Sequence, residues 1–325
     1  MGNRQYDVVG IGNAIVDVIA KASDRFVTDQ GLVKGSMALI SQDRAEELYQ
    51  LMGPGIEASG GSVANSVAGV ASFGGSAAFV GKVADDTLGQ VFAHDIRAAG
   101  VAFAPNPATG GPRTGRSLVL VTPDAQRTMN THLGVSALLE PSDIDPELVQ
   151  RGNILYCEGY LWDVESAKQA IRSAMEISLG AGNTVALSIS DPFCVERHHQ
   201  EFLDLIDGPV EILFANEAEL EALYGGSFEE SVEVVRSRVG LGCLTRGEMG
   251  SVLVSGDQTV ELAAYPVDVV DTTGAGDQYA AGVLFGVARG FSLAQAGRLG
   301  VEAASEVISH VGPRPEVPLS SFLDS

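Results

Sequence analysis

Residues 271–290 read DTTGAGDQYAAGVLFGVARG. The valine-rich residues 267–270 before them have strand character, and small and apolar residues follow at helical density. The segment therefore reads as strand, tight turn and helix. Gly274 and Gly276 let the backbone bend so that successive N–H groups converge. The open end of a helix adds unpaired N–H groups and the positive end of its dipole, so the turn can hold an anion. Asp277 then sets a carboxylate in the first helical turn, beside that anion hole. Like charges repel, so the carboxylate does not serve simple phosphate binding. It serves a site where a hydroxyl attacks the phosphate and gives its proton to the Asp. The residues alone also fit a plain helix cap after a tight turn.

Working outward, the second half of the chain alternates. Strands are expected at 153–157, 184–190, 211–215 and 241–245, and helices at 164–179, 195–206, 217–223, 229–239, 277–288 and 293–308. A hairpin is expected from 250–254 and 259–263. The first half offers a buried strand at 6–11, a strand at 77–81 and helices at 43–52 (with Ser41 as cap), 62–73 and 87–99. This pattern predicts an α/β fold, a mostly parallel sheet covered on both faces by helices. Hairpin-like pieces at about 14–40 and 101–131, including 117–122 and 127–132, break the alternation. They predict a small β lid inserted into one large domain spanning 1–325. The tail around 312–315 is expected to wrap the surface.

Composition narrows the function. The 325 residues include 20 Lys and Arg against 42 Asp and Glu, a formal charge of -22. Such a surface repels phosphate backbones and anionic lipid, so neither nucleic acid nor membrane is an expected partner. No apolar run reaches the roughly 18 to 20 residues of a bilayer span, and no signal peptide is apparent. Cys157, Cys194 and Cys243 are odd in number and lack a C-x-x-C pair. They read as small buried hydrophobes of a reduced, cytoplasmic protein, and a structural zinc site is not expected. Gly10-Ile11-Gly12 mimics a dinucleotide fingerprint, but the third Gly and the later acidic residue are missing.

The stretch from Asp271 to Asp277 resembles the second signature of the ribokinase-like (PfkB) family of carbohydrate and nucleoside kinases. Gly60-Gly61-Ser62-Val63-Ala64-Asn65, continuing to ASFGGSAAFVGKVADDTLGQ, resembles the first. Both occur in the family's order, and the likeness runs over nearly the whole chain. It implies a three-layer α/β/α sandwich with a small β lid, ATP as phosphate donor and Mg²⁺ as cofactor.

The resemblance also implies roles. Asp277 would be the general base, with the amides of Gly274, Ala275 and Gly276 stabilising the transferring phosphoryl group. Asp17, in GNAIVD, matches the family's substrate aspartate; otherwise it is a solvated strand-end Asp. Gly60, Gly61 and Asn65 match the sugar-contacting segment, where Gly bares backbone and Asn offers donor and acceptor. Asn216 and Glu219 match the N-x-x-E motif, with Asn216 at the nucleotide and Glu219 acting on magnesium through water. The same residues fit an acidic first turn favoured by the helix dipole. Thr245 and Gly247 match the T-x-G turn that touches ATP phosphates. Asp271 and Thr273 lie where many relatives bind a monovalent cation such as K⁺; whether this chain takes one is left open. Arg127 falls where nucleoside-kinase relatives place an arginine beside the active site, and equally fits a surface Arg on a hairpin.

The opening GNAIVDV, the stretch 127–134 and the segment Ser188-Ile189-Ser190-Asp191-Pro192-Phe193 resemble adenosine kinase-like members. Adenosine is the expected acceptor, with ribokinase- or fructokinase-like sugars as the alternative. Phe103, Leu133, Tyr160 and Trp162 are candidates for a purine slot. A non-catalytic binding protein on the same scaffold is the contrasting reading; intact Asp277, Gly274 and Gly276 speak for an enzyme. Monomer and homodimer both remain open.

Overall fold

The computed structural model describes residues 4–124 and 126–323. Fourteen strands occur among them: β1 (Tyr6–Ile11), β2 (Ile15–Lys21), β3 (Met37–Leu39), β4 (Gly55–Gly60), β5 (Ala77–Val80), β6 (Val101–Ala102), β7 (Gly115–Val121), β8 (Arg127–His132), β9 (Gly152–Glu158), β10 (Thr184–Ser188), β11 (Ile212–Asn216), β12 (Leu241–Thr245), β13 (Ser251–Ser255) and β14 (Gln258–Leu262). Nine form one sheet in the order β14-β13-β12-β11-β10-β9-β1-β5-β6. From β6 to β12 every pairing is parallel; β13 pairs antiparallel with both β12 and β14, so β13 alone runs against the rest.

The period of two in a strand decides which layer each side chain joins. Val8, Ile154, Tyr156, Ala186, Ile212 and Phe214 pack with helices Ser62–Ser72, Ala275–Ala288 and Leu293–Val307. Val9, Leu155, Cys157, Val185, Leu187 and Leu213 point the other way, to helices Glu165–Gly180, Glu217–Tyr224 and Phe228–Arg238. Two cores on opposite faces of one parallel sheet make the expected α/β/α sandwich. Because the parallel strands share one direction, their C-terminal ends meet along one edge, where α/β sheets bind ligands.

A second sheet, β3-β8-β7-β2-β4, sits over that edge. Ala45 and Leu48 of helix Gln42–Leu51 are buried in the same core as Val16, Val18 and Leu118 of this sheet. The expected hairpin at 117–122 and 127–132 is β7 and β8, paired antiparallel; Ala125 of its turn lies outside the described residues. Segment placement differs from the sequence reading at two points. The small sheet also takes β4, an edge strand whose GIEASG is exposed over its first three residues and buried at Ser59 and Gly60, and so shows no alternation. The short β6 belongs to the main sheet, beside β5.

Three other expectations are corrected. Residues 267–270 form no strand: Val267 and Val269 are exposed, and only the N–H of Val270 reaches the carbonyl of Ile308. The helix expected at 195–206 is two, Pro192–Arg197 and His199–Ile206. They part at His198, whose φ of -123° and ψ of 27° leave the helix. The tail does not stay on the surface: Gly312 and Pro313 are buried, and Arg314 turns inward.

Candidate active site

A cleft of about 570 Å³ opens between the two sheets. Asn13, Glu158, Ser188, Asn216 and Thr245 line it from the C-terminal ends of the main-sheet strands, and Asp17, Met37, Met129 and Thr131 from the small sheet. Gly61, Ser62, Asn65, Thr273, Gly276 and Asp277 complete its floor.

Asp277 stands in the first turn of helix Ala275–Ala288. Ser62 Oγ donates to its Oδ1 (2.6 Å) and Asn65 Nδ2 to its Oδ2 (3.0 Å). Burial pushes its pKa up, while those two hydrogen bonds and the Arg314 charge pull it back. The carboxylate is therefore a stronger base than a solvated one, yet still stabilised as an anion. Gly274 has φ 80°, and a Cβ there would lie 2.7 Å from the backbone of Pro313. At Gly276 a Cβ would meet nothing within 4 Å. Among the described residues the amides of Gly276 and Asp277 take no backbone acceptor. A helix start with free N–H groups facing open space is an anion cradle.

Asp17 projects from β2 against Gly60, whose hydrogen stands where a Cβ would lie 2.3 Å from the Asp17 carboxylate. Burial raises the Asp17 pKa to about 7; Arg314 and Arg127 oppose the rise and the Asp277 charge adds to it. Gly61 has φ 101° and would place a Cβ 2.1 Å from the carbonyl of Asn13, so the G-G pair lets three chain segments converge.

The N-x-x-E pair is a reciprocal helix cap. Glu219 N donates to Asn216 Oδ1 (2.9 Å), and Asn216 N donates to Glu219 Oε2 (3.0 Å). Glu219 is buried and lines the cleft with Asp191. Desolvation raises its pKa to about 7, and the Asp191 charge adds to the rise. Two carboxylates so placed suit a hydrated Mg²⁺, which binds few protein ligands and keeps its waters. No group of three or more His, Cys, Asp or Glu that could cage a metal occurs among the described residues. Thr245 lines the cleft, and Gly247 is exposed beyond it.

Arg127 is buried on β8 and ion-paired with buried Asp271, so it is no surface residue. It is not among the residues that line the cleft. Asp271 also accepts from Thr273 N (3.1 Å) and Gly312 N (2.9 Å). Of the four aromatic and apolar candidates, Leu133 and Tyr160 line the cleft. Phe103 instead packs with Phe79 and Phe92, and Trp162 with Phe202, in the two cores. The three cysteines are buried and free.

A model described as pfkB family carbohydrate kinase matches residues 45–319. The chain belongs to the pfkB carbohydrate kinase family. Its fold is the ribokinase-like α/β fold, and it is an ATP-dependent kinase of a sugar or a nucleoside. It is similar to "The crystal structure of adenosine kinase from Sinorhizobium meliloti", with 50% identity and TM-score 0.92 over 98% of both chains. It is also similar to a "probable sugar kinase protein" from Rhizobium etli CFN 42, with 44% identity and TM-score 0.93, covering 99% of this chain and 98% of that one. "Probable fructokinase-6, chloroplastic" of Arabidopsis thaliana is 32% identical over 257 residues. That match spans 74% of this chain and 65%, just under two thirds, of the Arabidopsis protein.

Within this pfkB member, the sequence reading misses Glu158 and Ser62, which line the cleft, and Arg314, which bonds to the cleft residue Asn65. Glu158 ends β9 and accepts from Asn13 Nδ2 (2.7 Å), Asn13 N (3.3 Å) and Val63 N (3.1 Å). Burial raises its pKa to about 7 against those bonds. An acidic residue closing the apolar run ILYCE was the available signal. Ser62 sat unremarked inside the quoted GGSVAN. Arg314 gave no signal: nothing in Gly-Pro-Arg-Pro says that its third residue turns inward. No helix among the described residues is long and apolar enough to cross a membrane.

Proposed function

We propose that this kinase moves the γ-phosphoryl group of ATP to the primary hydroxyl of a ribosyl nucleoside, adenosine foremost. One observation carries the choice of a nucleoside. Met37, Leu39, Met129 and Leu133 line the same cleft as Tyr160 and Phe193, and Phe193 is 70% exposed. Large apolar side chains left open at a cleft call for a flat apolar ligand to cover them. A purine does so; a hexose, hydroxylated all round, leaves them wet. The 50% identity to an adenosine kinase across the whole chain supports the same reading.

In this reading Asp17 accepts from ribose hydroxyls, Asn65 and the bare backbone of Gly60 and Gly61 complete the sugar's seat, and the small sheet closes to exclude water. The acceptor hydroxyl gives its proton to Asp277. Its oxygen bonds to the γ-phosphorus as the bond to the bridging oxygen breaks, and ADP leaves. The free first-turn amides of Gly276 and Asp277 stabilise the charge on the transferring group, while the Ala275 amide, expected to share in this, donates instead to the carbonyl of Thr272 (3.3 Å). Asn216, Thr245 and Gly247 lie along the nucleotide path. Glu219 and Asp191 would hold Mg²⁺ through water, and the ion would neutralise phosphate charge. Three reduced, buried cysteines fit the cytoplasm as its location.

The deciding experiment measures ADP release with Mg²⁺ over adenosine, inosine, guanosine, ribose and fructose, with and without K⁺. Adenosine giving the highest kcat/KM supports the proposal. Fructose or ribose giving it, with adenosine inert, replaces it with a sugar kinase. That alternative has its own support in the 32% identical fructokinase.

A further inference from the structure

Arg314 enters the site from the tail, a segment far in sequence from Asp277 and Asn65. It is half-buried. Its Nε donates to Asn65 Oδ1 (2.8 Å), and its Nη2 donates to Ser59 O (2.9 Å) and Ser59 Oγ (3.0 Å). Ser59 is anchored in turn on Asp95, which accepts its N–H (2.8 Å) and its hydroxyl. The amide of Asn65 has two ends. With Oδ1 held by Arg314, Nδ2 faces Asp277 and donates to Oδ2. A flipped amide would set its NH₂ against the guanidinium, donor against donor, and would turn a lone pair toward the carboxylate. Gln278 fixes the same unit from behind, with Nε2 donating to the carbonyls of Asn65 (3.2 Å) and Pro313 (2.9 Å).

We propose that Arg314 is a positioning residue for the phosphoryl-transfer step: it orients the Asn65 amide toward Asp277 and sets one positive charge near Asp17 and Asp277. The inference rests on the reading of Asp277 as general base. The groups that bear on that carboxylate come from every side. They are Asp17 on the small sheet, Tyr156 and Glu158 on β9, Ser62 and Asn65 on the helix facing it, and Arg314, which itself bears on Asp95. Among these, Arg314 is the cation that opposes the raised pKa of both Asp17 and Asp277. Without it, both carboxylates hold their protons to higher pH.

The test compares Arg314→Gln, Arg314→Lys, Asn65→Ala, Asn65→Ala with Arg314→Gln, and Asp277→Asn, using the acceptor that the wild-type chain phosphorylates best. Arg314→Gln is expected to lower kcat about tenfold or more, to leave the KM for ATP unchanged, and to move the acid limb of kcat/KM to higher pH. Arg314→Lys returns the limb toward wild type while kcat stays low, because one ammonium replaces the charge but not the fork. The double variant loses little beyond Asn65→Ala alone. Wild-type kcat and an unmoved limb in Arg314→Gln, or full additivity in the double variant, overturns the inference. Should Arg314→Gln fail to fold, the Lys variant decides: full kcat there rejects a role in orienting the amide. Asp277→Asn separates the two readings. Retained turnover in that variant sinks the base assignment itself, whereas its loss beside a wild-type-like Arg314→Gln sinks only the inference on Arg314.

Discussion

At the scale of single residues, the chemistry turns on how burial and hydrogen bonding compete at Asp277. Burial raises its pKa, and Ser62, Asn65 and Arg314 restrain the rise. Asp277→Asn keeps the shape and removes the base, so turnover should fall by about two or more orders of magnitude, with ATP binding retained in a fluorescence or calorimetric titration. Near-wild-type turnover would refute the assignment. The pH dependence follows from the same shifts. Asp17 titrates near 7 and Asp277 above its ordinary 3.8. Asp17 must be ionised to accept from the ribose hydroxyls, so kcat/KM should fall on the acid side as pH drops through about 7; Asp277 must be ionised to take the proton, and its raised pKa adds to that fall. With an ordinary carboxylate it would hold to about pH 5. A flat profile from pH 5 to 8 (about the range where these shifts act) would contradict the picture. Asp277 was legible in the sequence because it closes the second signature, and Asp17 because it ends the stretch GNAIVD. The partners that tune them were not: Arg314 is brought in by a tail whose path no local pattern encodes.

At the scale of elements, the two glycines of the signature turn do different work. Gly274 sits at φ 80° with Pro313 against it. Gly274→Ala should therefore destabilise the fold by about 2 kcal/mol or more, through backbone strain and displacement of the tail, and lower the melting temperature. Gly276 is exposed and faces open space. Gly276→Ala should leave the melting temperature nearly unchanged and still depress kcat, because the methyl group stands before the amides that receive phosphate. Equal melting losses in both variants would remove this division. Helix positions were readable because caps and apolar stripes are local: Ser41 caps Gln42–Leu51, and Asn216 with Glu219 caps Glu217–Tyr224. The valines at 267–270 misled because β-branched residues give strand character whether or not a neighbour strand exists to pair with them.

At the scale of the whole molecule, the small sheet is tied to the body by the ion pair of Arg127 and Asp271. The arginine belongs to β8 of the small sheet and the aspartate to the turn that leads into the anion cradle. Both side chains are buried, so removing one leaves the other charge desolvated and unpaired. Asp271 keeps the amides of Thr273 and Gly312 when Arg127 is lost. Arg127→Met should therefore cost about 3 kcal/mol, the low end for breaking a buried pair, read as a lower denaturant midpoint. Combining it with Asp271→Leu, which removes the stranded charge, should recover part of that loss. The consequence for function is separate from stability. If the pair also holds the small sheet against the body, Arg127→Met should raise the KM for the acceptor. It should speed amide exchange in β8 and β3, which pair with each other at the rim. Faster exchange confined to those strands, with β1 and β9 unchanged, is the pattern of a small sheet released from the body. Uniform acceleration across both sheets would mean that the pair only stabilises the fold.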